Sequence, residues 1–294
     1  MDLFALFHAP DRLKCDEFHF VLESVHITSD VVLHQERFYL LVDERVAEQA
    51  YLQLQTYIQE NTPEIIIARP LLPIKQGFMG AYFYAIVLII FSLLQNTFAL
   101  GFDWHQRGIA DSFNIESGEW WRCITALTLH ADSAHLAGNI GFGVLFALFV
   151  SQYIGSAAAW FSILMAGAVG NALNAYFHQN IHQSLGASTA VFAALGMLGI
   201  FALNHQSDNS HRYNKRRFRK WLPFIATIAL LVFTGTAGER TDILAHLFGY
   251  FSGCLVALGW IIIGMPTYIA PKIKAALVIS TLTIILFAWN LALR

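Results

Sequence analysis

Long uncharged and apolar stretches dominate the chain beyond Lys75. No Asp, Glu, Lys or Arg occurs in the 27 positions after Lys75, and none occurs in the 75 positions after Asp132. One membrane-spanning helix needs about 20 apolar residues, so the longer stretch predicts several spans, divided by a turn at Gly155–Ser156 and by the polar segment 178–184. Together with three later apolar runs, the pattern predicts seven spans, at 80–101, 134–154, 157–177, 188–205, 221–237, 243–264 and 275–293.

The first 70 residues have a different, mixed pattern. Glu17–His26 and Val31–Val42 alternate partly between polar and β-branched or aromatic side chains, which predicts strands. Asp43–Glu60 has apolar residues at helical spacing, and Pro70 and Pro73 indicate a linker. The predicted organisation is a small cytosolic α+β domain over 1–70, a linker over 71–79, a six-helix core over 80–264 and an additional C-terminal helix over 265–294.

Composition and charge agree with a membrane protein. Of the 294 residues, 56% are hydrophobic and 13% are charged, about half the charged share of a soluble domain. This excludes a disordered chain and a basic nucleic-acid-binding protein. Six of the 18 Lys and Arg residues fall in 212–220, a loop that the positive-inside rule places in the cytosol. Residues 1–20 contain no apolar targeting segment, so we expect a multi-pass protein of the inner (plasma) membrane with a cytoplasmic N-terminus.

Polar side chains occur near the start of three predicted spans. Ser188 opens the fourth span, His246 lies one turn into the sixth, and His135 and Asn139 share one face of the second. The predicted topology starts all three spans on the outer side, so these residues share one depth in the membrane. A serine, a histidine and imidazole or amide donors at one level supply a nucleophile, a base and an oxyanion hole.

Each of these groups also has a simpler interpretation. Ser188 alone is typical of a helix N-cap. Glycines at GxxxG spacing, here Gly249 and Gly253, are typical of close helix packing. A metal site at His130 and His135 is disfavoured, because the nearby amide is a poor ligand for transition metals. Only the coincidence of the three groups at one depth favours catalysis.

The same residues carry a resemblance to the rhomboid family of intramembrane serine proteases. It covers roughly residues 80–264, and the seventh span resembles the "6+1" variant of that family. The shared residues, in chain order, are Trp121-Arg122, His130, His135, Asn139, Gly186-Ala187-Ser188, Ala245-His246, Gly249 and Gly253. The chain departs from the family at two positions: Thr189 follows the nucleophile where glycine is usual, and Phe192 stands where tyrosine is common.

The resemblance implies both a fold and a chemistry. The fold is an all-α polytopic membrane protein with a six-helix core and a seventh C-terminal helix. Ser188 is expected to attack the scissile carbonyl and His246 to act as its base, while His135 and Asn139 stabilise the oxyanion. Structural roles near the site are expected for His130, Trp121, Arg122, Gly186, Phe192, Gly249 and Gly253.

The resemblance also implies what the protein acts on. The expected substrates are transmembrane segments of other membrane proteins, cut within the bilayer near its outer face. No metal, cofactor or nucleic acid is implied, and the oligomeric state stays open. Arg122 is expected to anchor the first outer loop, and loop 234–241 is a candidate lid.

Other interpretations remain beside this one. An inactive rhomboid-like protein that binds transmembrane helices is disfavoured because Ser188 and His246 are both present. A transporter or channel predicts charged residues inside the spans, and these spans carry none. Asp242 lies four residues before His246, but its place at a helix start favours a cap over the third member of a triad.

Overall fold

The computed structural model describes residues 3–61, 71–178, 181–208, 217–235, 241–265 and 269–294. Contacts between Cα atoms divide the chain into two units, Met1–Ile66 and Ile67–Arg294.

The first unit is a three-stranded antiparallel sheet with two helices. Its central strand, Arg37–Asp43, lies between Leu3–Ala9 and Ser29–His34. The core contains Phe18 and Leu22 from the first helix and Leu40 and Val42 from the central strand. Its elements are β1 (Leu3–Ala9), α1 (Arg12–Ser24), β2 (Ser29–His34), β3 (Arg37–Asp43) and α2 (Ala47–Asn61).

Two predictions in this unit are corrected. The predicted strand Glu17–His26 is wrong, because most of it belongs to α1, which Asp11 caps through the Leu13 N–H and whose inner face is buried at helical spacing. Val31–Val42 contains two strands rather than one, joined by a turn at Gln35–Glu36 where both residues have positive φ. The predicted helix over Asp43–Glu60 is confirmed in α2.

The described part of the second unit consists of helices and one short strand pair. Among the residues that the structure describes, six helices are long and apolar enough to cross a membrane, which confirms a multi-pass membrane protein. The predicted span 221–237 corresponds to a shorter apolar helix, Trp221–Gly235, and its last two positions lie outside the described residues. The six long helices are α3 (Phe78–Asn96), α7 (Ser133–Ile154), α8 (Ser156–Phe177), α9 (Ser188–Asp208), α11 (Ile243–Ile262) and α12 (Pro271–Ala292), and the shorter apolar segment belongs to α10 (Arg217–Gly235).

Helix α9 lies at the centre of this bundle. Its apolar segment is 61% buried, compared with 17% for α3 and 22% for α12. It packs most extensively against α11, where Gly249 and Gly253 face the carbonyl oxygens of Thr189 and Ala193 so closely that a Cβ atom at either glycine would overlap them. The GxxxG spacing therefore brings two helix backbones into direct contact.

The segment between α3 and α7 is folded and anchored. It contains the short helices α4 (Trp104–Gly108), α5 (Ser112–Glu116) and α6 (Arg122–Thr125). The Arg122 guanidinium is buried, donates to the carbonyls of Gln106 (2.9 Å) and Ile109 (3.0 Å), and pairs with Glu119. These contacts join Arg122 to the backbone of this segment, and the adjacent Trp121 packs against the helix core.

Candidate active site

A tight turn presents Ser188 at the first position of α9. The preceding strand, β5 (Gln183–Ser184), pairs with β4 (Ala110–Asp111), and the Gly186 N–H donates to the Ala126 carbonyl at 2.9 Å. Gly186 has φ +125°, a conformation that other residues rarely adopt. A Cβ atom there would also lie 2.6 Å from the His135 ring. Glycine is thus required both by the turn and by the close approach of His135.

The Ser188 hydroxyl meets the imidazole of His246. The Oγ–Nε2 distance is 2.9 Å, which is within hydrogen-bonding range. His246 lies one turn into α11 and is 8% exposed, and the ring of Phe192 packs against it with centroids 4.3 Å apart. Since Phe192 lies one turn after Ser188, α9 supplies both the hydroxyl and the surface that holds the histidine ring.

The other nitrogen of His246 faces a backbone carbonyl. Nδ1 lies 2.9 Å from the Gly235 oxygen at the end of α10. A carbonyl can only accept, so this contact requires the proton on Nδ1 and leaves Nε2 of the neutral ring as an acceptor. The Ser188 hydroxyl therefore donates to Nε2, which is the arrangement a general base needs.

Two side chains of α7 that can donate hydrogen bonds lie beside the turn that precedes Ser188. A Cβ built at Gly186 would be 2.7 Å from His135 Nε2 and 3.6 Å from Asn139 Nδ2, so both side chains border this turn. Asn139 is 6% exposed, and its Nδ2 has no hydrogen-bond partner among the described residues. A buried amide without a partner is costly, which favours a donor kept for a group that is not part of the resting protein.

His130 supports this side of the site. The side-chain amide of Gln95 binds the His130 main chain at both its N–H (3.2 Å) and its carbonyl (2.9 Å). The ring is 3% exposed and packs edge-on against His135, with centroids 5.2 Å apart. Burial, with a smaller contribution from the neighbouring His135, lowers the pKa of His130 to about 4. His130 is thus a neutral packing surface for His135.

The Asp242 carboxylate accepts hydrogen bonds from groups other than His246. It caps α11 through the Ala245 N–H (3.0 Å), as expected, and its other oxygen accepts from His182 Nε2 and Asn174 Nδ2, both at 2.7 Å. Burial raises the pKa of Asp242, but the hydrogen bonds from His182 and the Ala245 N–H outweigh it, so the net pKa is lowered. Asp242 therefore joins the start of α11 to the end of α8 and to the segment that leads to Ser188.

Thr189 does not point into the turn that holds Ser188. Its methyl group lies against Gly170 and Gly249, where built Cβ atoms would approach it to 2.7 and 3.1 Å. The residue therefore fills the interface of α8, α9 and α11. Of the candidate lid 234–241, positions 236–240 lie outside the described residues.

Three supporting contacts were not predicted from the sequence. These are the Gly235 carbonyl on His246, the His182–Asp242 pair and the bond from Tyr84 Oη to the Asn139 carbonyl (2.9 Å). A backbone acceptor has no residue signature, and His182 lies in a loop whose folding depends on pairing with β4. Of the residues in these contacts, only Asp242 could be singled out from the sequence, because its place four residues before His246 at a helix start indicates a structural role.

The fold and this pair of side chains define a class: a multi-pass helical membrane protein with a serine–histidine pair at the start of two helices. A family model described as the Rhomboid domain matches residues 117–264, just over half of the chain. The chain belongs to the rhomboid family.

Similarity to individual relatives is moderate. The chain is 26% identical to the Bacillus subtilis (strain 168) protein named "Putative rhomboid protease YdcA", over 59% of this chain and 82% of the relative. It is 25% identical to rhomboid protease AarA of Providencia stuartii, over 72% of this chain and 79% of that relative. It is 29% identical to rhomboid protease GluP of Bacillus subtilis (strain 168), over 54% of this chain but only 29% of that relative.

Proposed function

We propose that this protein is an intramembrane serine endopeptidase that uses a Ser188–His246 dyad. The observation that carries the proposal is the 2.9 Å contact from Ser188 Oγ to His246 Nε2, together with an Nδ1 partner that can only accept. Membership of the rhomboid family and the protease names of its relatives support the same reaction class. The inactive alternative does not explain why the histidine is held in the tautomer that a base requires.

The chemistry follows from these groups. Ser188 Oγ attacks the scissile carbonyl carbon while its proton passes to His246 Nε2. The developing oxyanion accepts from the Ser188 N–H, His135 and the Asn139 amide. His246 then gives the proton to the leaving amine, and water hydrolyses the acyl-enzyme by the reverse set of transfers. Throughout the reaction the neutral carbonyl of Gly235 holds the His246 imidazole in position.

The substrates follow from where this site lies. Ser188 and His246 stand at the start of apolar helices, so the scissile bond is presented within or beside the bilayer. We infer that the substrates are transmembrane segments of other proteins. We further infer that the site faces the outer side of the plasma membrane and that the N-terminal unit is cytoplasmic, as the basic loop over 212–220 indicates.

A fluorophosphonate probe tests the proposal directly. The purified protein should be labelled at one serine, and labelling should be lost in Ser188→Ala and reduced to background in His246→Ala. Ser252→Ala is the matched control, because Ser252 is a buried helix serine away from the dyad, and it should label normally. Labelling that persists in Ser188→Ala, or no labelling of a folded wild-type protein, would contradict the proposal and favour a helix-binding protein.

A further inference from the structure

The end of α12 is the part of this helix that is buried. Most of α12 is exposed or half-buried, and only 22% of its apolar segment is buried inside the bundle. The buried residues of the helix are Ala288, Trp289 and Ala292, all within its last two turns. The Arg107 guanidinium, in the segment between α3 and α7, donates to the Ala292 carbonyl at 3.3 Å. The end of α12 is therefore attached to that segment.

Trp289 makes the closest of these attachments. It is 3% exposed, and its ring stacks on Phe91 of α3 and packs on Trp104 of α4, with centroids 5.2 and 4.9 Å apart. A Cβ atom built at Gly108 would lie 2.3 Å from the indole ring, so the glycine leaves room for that ring. The indole Nε1 donates to Thr128 Oγ1 at 3.1 Å. Trp289 thus buries its apolar surface and also has a partner for its N–H.

The short 3₁₀ helix that ends at Thr128 is connected to both sides of the proposed active site. At its start, the Ala126 carbonyl accepts from the Gly186 N–H at 2.9 Å, in the turn that precedes the proposed nucleophile. Just beyond its end, the His130 ring packs edge-on against His135, a proposed oxyanion donor. A group that holds Thr128 therefore supports the nucleophile side and the oxyanion side together.

We propose that Trp289 is a positioning residue for the reaction. Its indole N–H holds the segment 126–130 in place, and this segment in turn supports the Ser188 turn and the His135 ring. This role presupposes the proteolytic function proposed for Ser188 and His246. The hydrogen bond of Trp289 goes to the segment rather than to the dyad, so the residue acts on the reaction through that segment.

Hydrogen exchange of the purified protein in detergent tests the link without catalysis. Trp289→Phe keeps an aromatic ring but removes the N–H, and the Gly186 amide should then exchange about 2- to 10-fold faster, as expected for the loss of one buried hydrogen bond. Trp260→Phe is the matched control. It removes a similar bond, from the indole to Ser162 Oγ at 2.9 Å, about four turns along α11 from His246, and should leave the Gly186 amide unchanged. Unchanged exchange in Trp289→Phe, or an equal increase in both variants, would overturn the proposal.

Variants of Thr128 test whether its hydroxyl is the partner. Thr128→Ser keeps the acceptor and should leave exchange at Gly186 close to that of the wild type. Thr128→Val removes the acceptor and also the bond from Thr128 Oγ1 to the Thr125 carbonyl (2.7 Å), so its effect should be at least as large as that of Trp289→Phe. Combining Thr128→Val with Trp289→Phe should add little, because both remove the same bond. Additive effects in the double variant would refute the bond as the link.

The rate of fluorophosphonate labelling at Ser188 tests the consequence for the site. In Trp289→Phe the limiting labelling rate should fall by about tenfold, less than the roughly 100-fold that a 1 Å misplacement causes, while the half-saturating probe concentration stays the same. Trp260→Phe should label at the wild-type rate, although it loses a similar hydrogen bond. An unchanged rate in Trp289→Phe, with the wild type labelled, would refute the positioning role alone. No labelling of the folded wild type would refute the proposed function and the positioning role with it.

Discussion

Replacing Asp242 by Asn separates the two roles of this carboxylate. One oxygen caps α11 through the Ala245 N–H, and the other accepts from both His182 and Asn174 at 2.7 Å. Asparagine is as good an N-cap as aspartate. If its oxygen keeps the cap, its NH₂ group faces the Asn174 amide donor and loses that bond, while any bond to His182 Nε2 requires the other tautomer and no longer involves a charged group. The variant therefore weakens the link between helices and leaves the cap intact.

The expected cost comes from the burial of this pair. The side chains of Asp242 and His182 are 16% and 29% exposed, so solvent screens the interaction only partly. Hydrogen bonds that involve a charged group contribute about 1.5–3 kcal/mol each, and we expect Asp242→Asn to lower the free energy of unfolding by about that amount. His182→Gln should have a smaller effect, and the double variant should lose less than the sum, with a coupling of about 1 kcal/mol.

The measurement pairs denaturant unfolding in detergent with the rate of fluorophosphonate labelling at Ser188. Asp242→Asn should keep most of the labelling rate, because His246 is oriented by Gly235 rather than by Asp242. Asp103→Asn is the matched control: this exposed residue caps α4 through the Gln106 N–H, and its replacement should leave stability unchanged. A loss of labelling as complete as in His246→Ala, or unchanged stability in Asp242→Asn, would refute this reasoning.

Three further predictions follow from the same geometry. Gly249→Ala should lower the free energy of unfolding by about 1–3 kcal/mol, because the added Cβ overlaps the Thr189 carbonyl. Gly259→Ala is the control: a Cβ there meets open space and should leave the free energy of unfolding unchanged. Asn139→Ala should lower kcat on a transmembrane substrate about 10²- to 10³-fold with a small change in KM, and an unchanged kcat would exclude an oxyanion role. His130 has its pKa lowered to about 4, so the unfolded chain binds a proton first as the pH falls from 6.5 to 4. The wild type should lose up to about 3 kcal/mol of stability over that range, and His130→Asn should flatten the profile.

Sequence periodicity predicted the membrane unit better than the N-terminal unit, for a physical reason. A membrane span requires about 20 uncharged residues, so the run after Asp132 and the Gly155 turn located α7 and α8 without any tertiary information. In the N-terminal unit the segment Glu17–His26 is short and its aromatic residues suit either a strand or a helix. Its helical state depends on burying Phe18 and Leu22 against the sheet, which local pattern does not reveal.

The same division applies to the candidate site. Ser188, His246, His135 and Asn139 could be found because burying polar groups near the start of apolar helices has to serve a purpose. The groups that bind these side chains could not be found in the sequence, since a backbone carbonyl occurs at every residue. Whether the carbonyl of Gly235 meets His246 depends on where α10 ends, and the sequence does not mark that end clearly.

The Gly235 contact explains why His246, in its proposed role as a base, needs no carboxylate partner. An isolated carboxylate beside His246 would have to be desolvated next to apolar helices, at a cost of several kcal/mol. A carbonyl fixes the same tautomer and is already neutral. The nearby carboxylate, Asp242, instead lies at the helix start, where hydrogen bonds from groups such as His182, Asn174 and the Ala245 N–H compensate its charge. The absence of acids from the spans and the backbone orientation of the base are therefore two consequences of the same desolvation penalty.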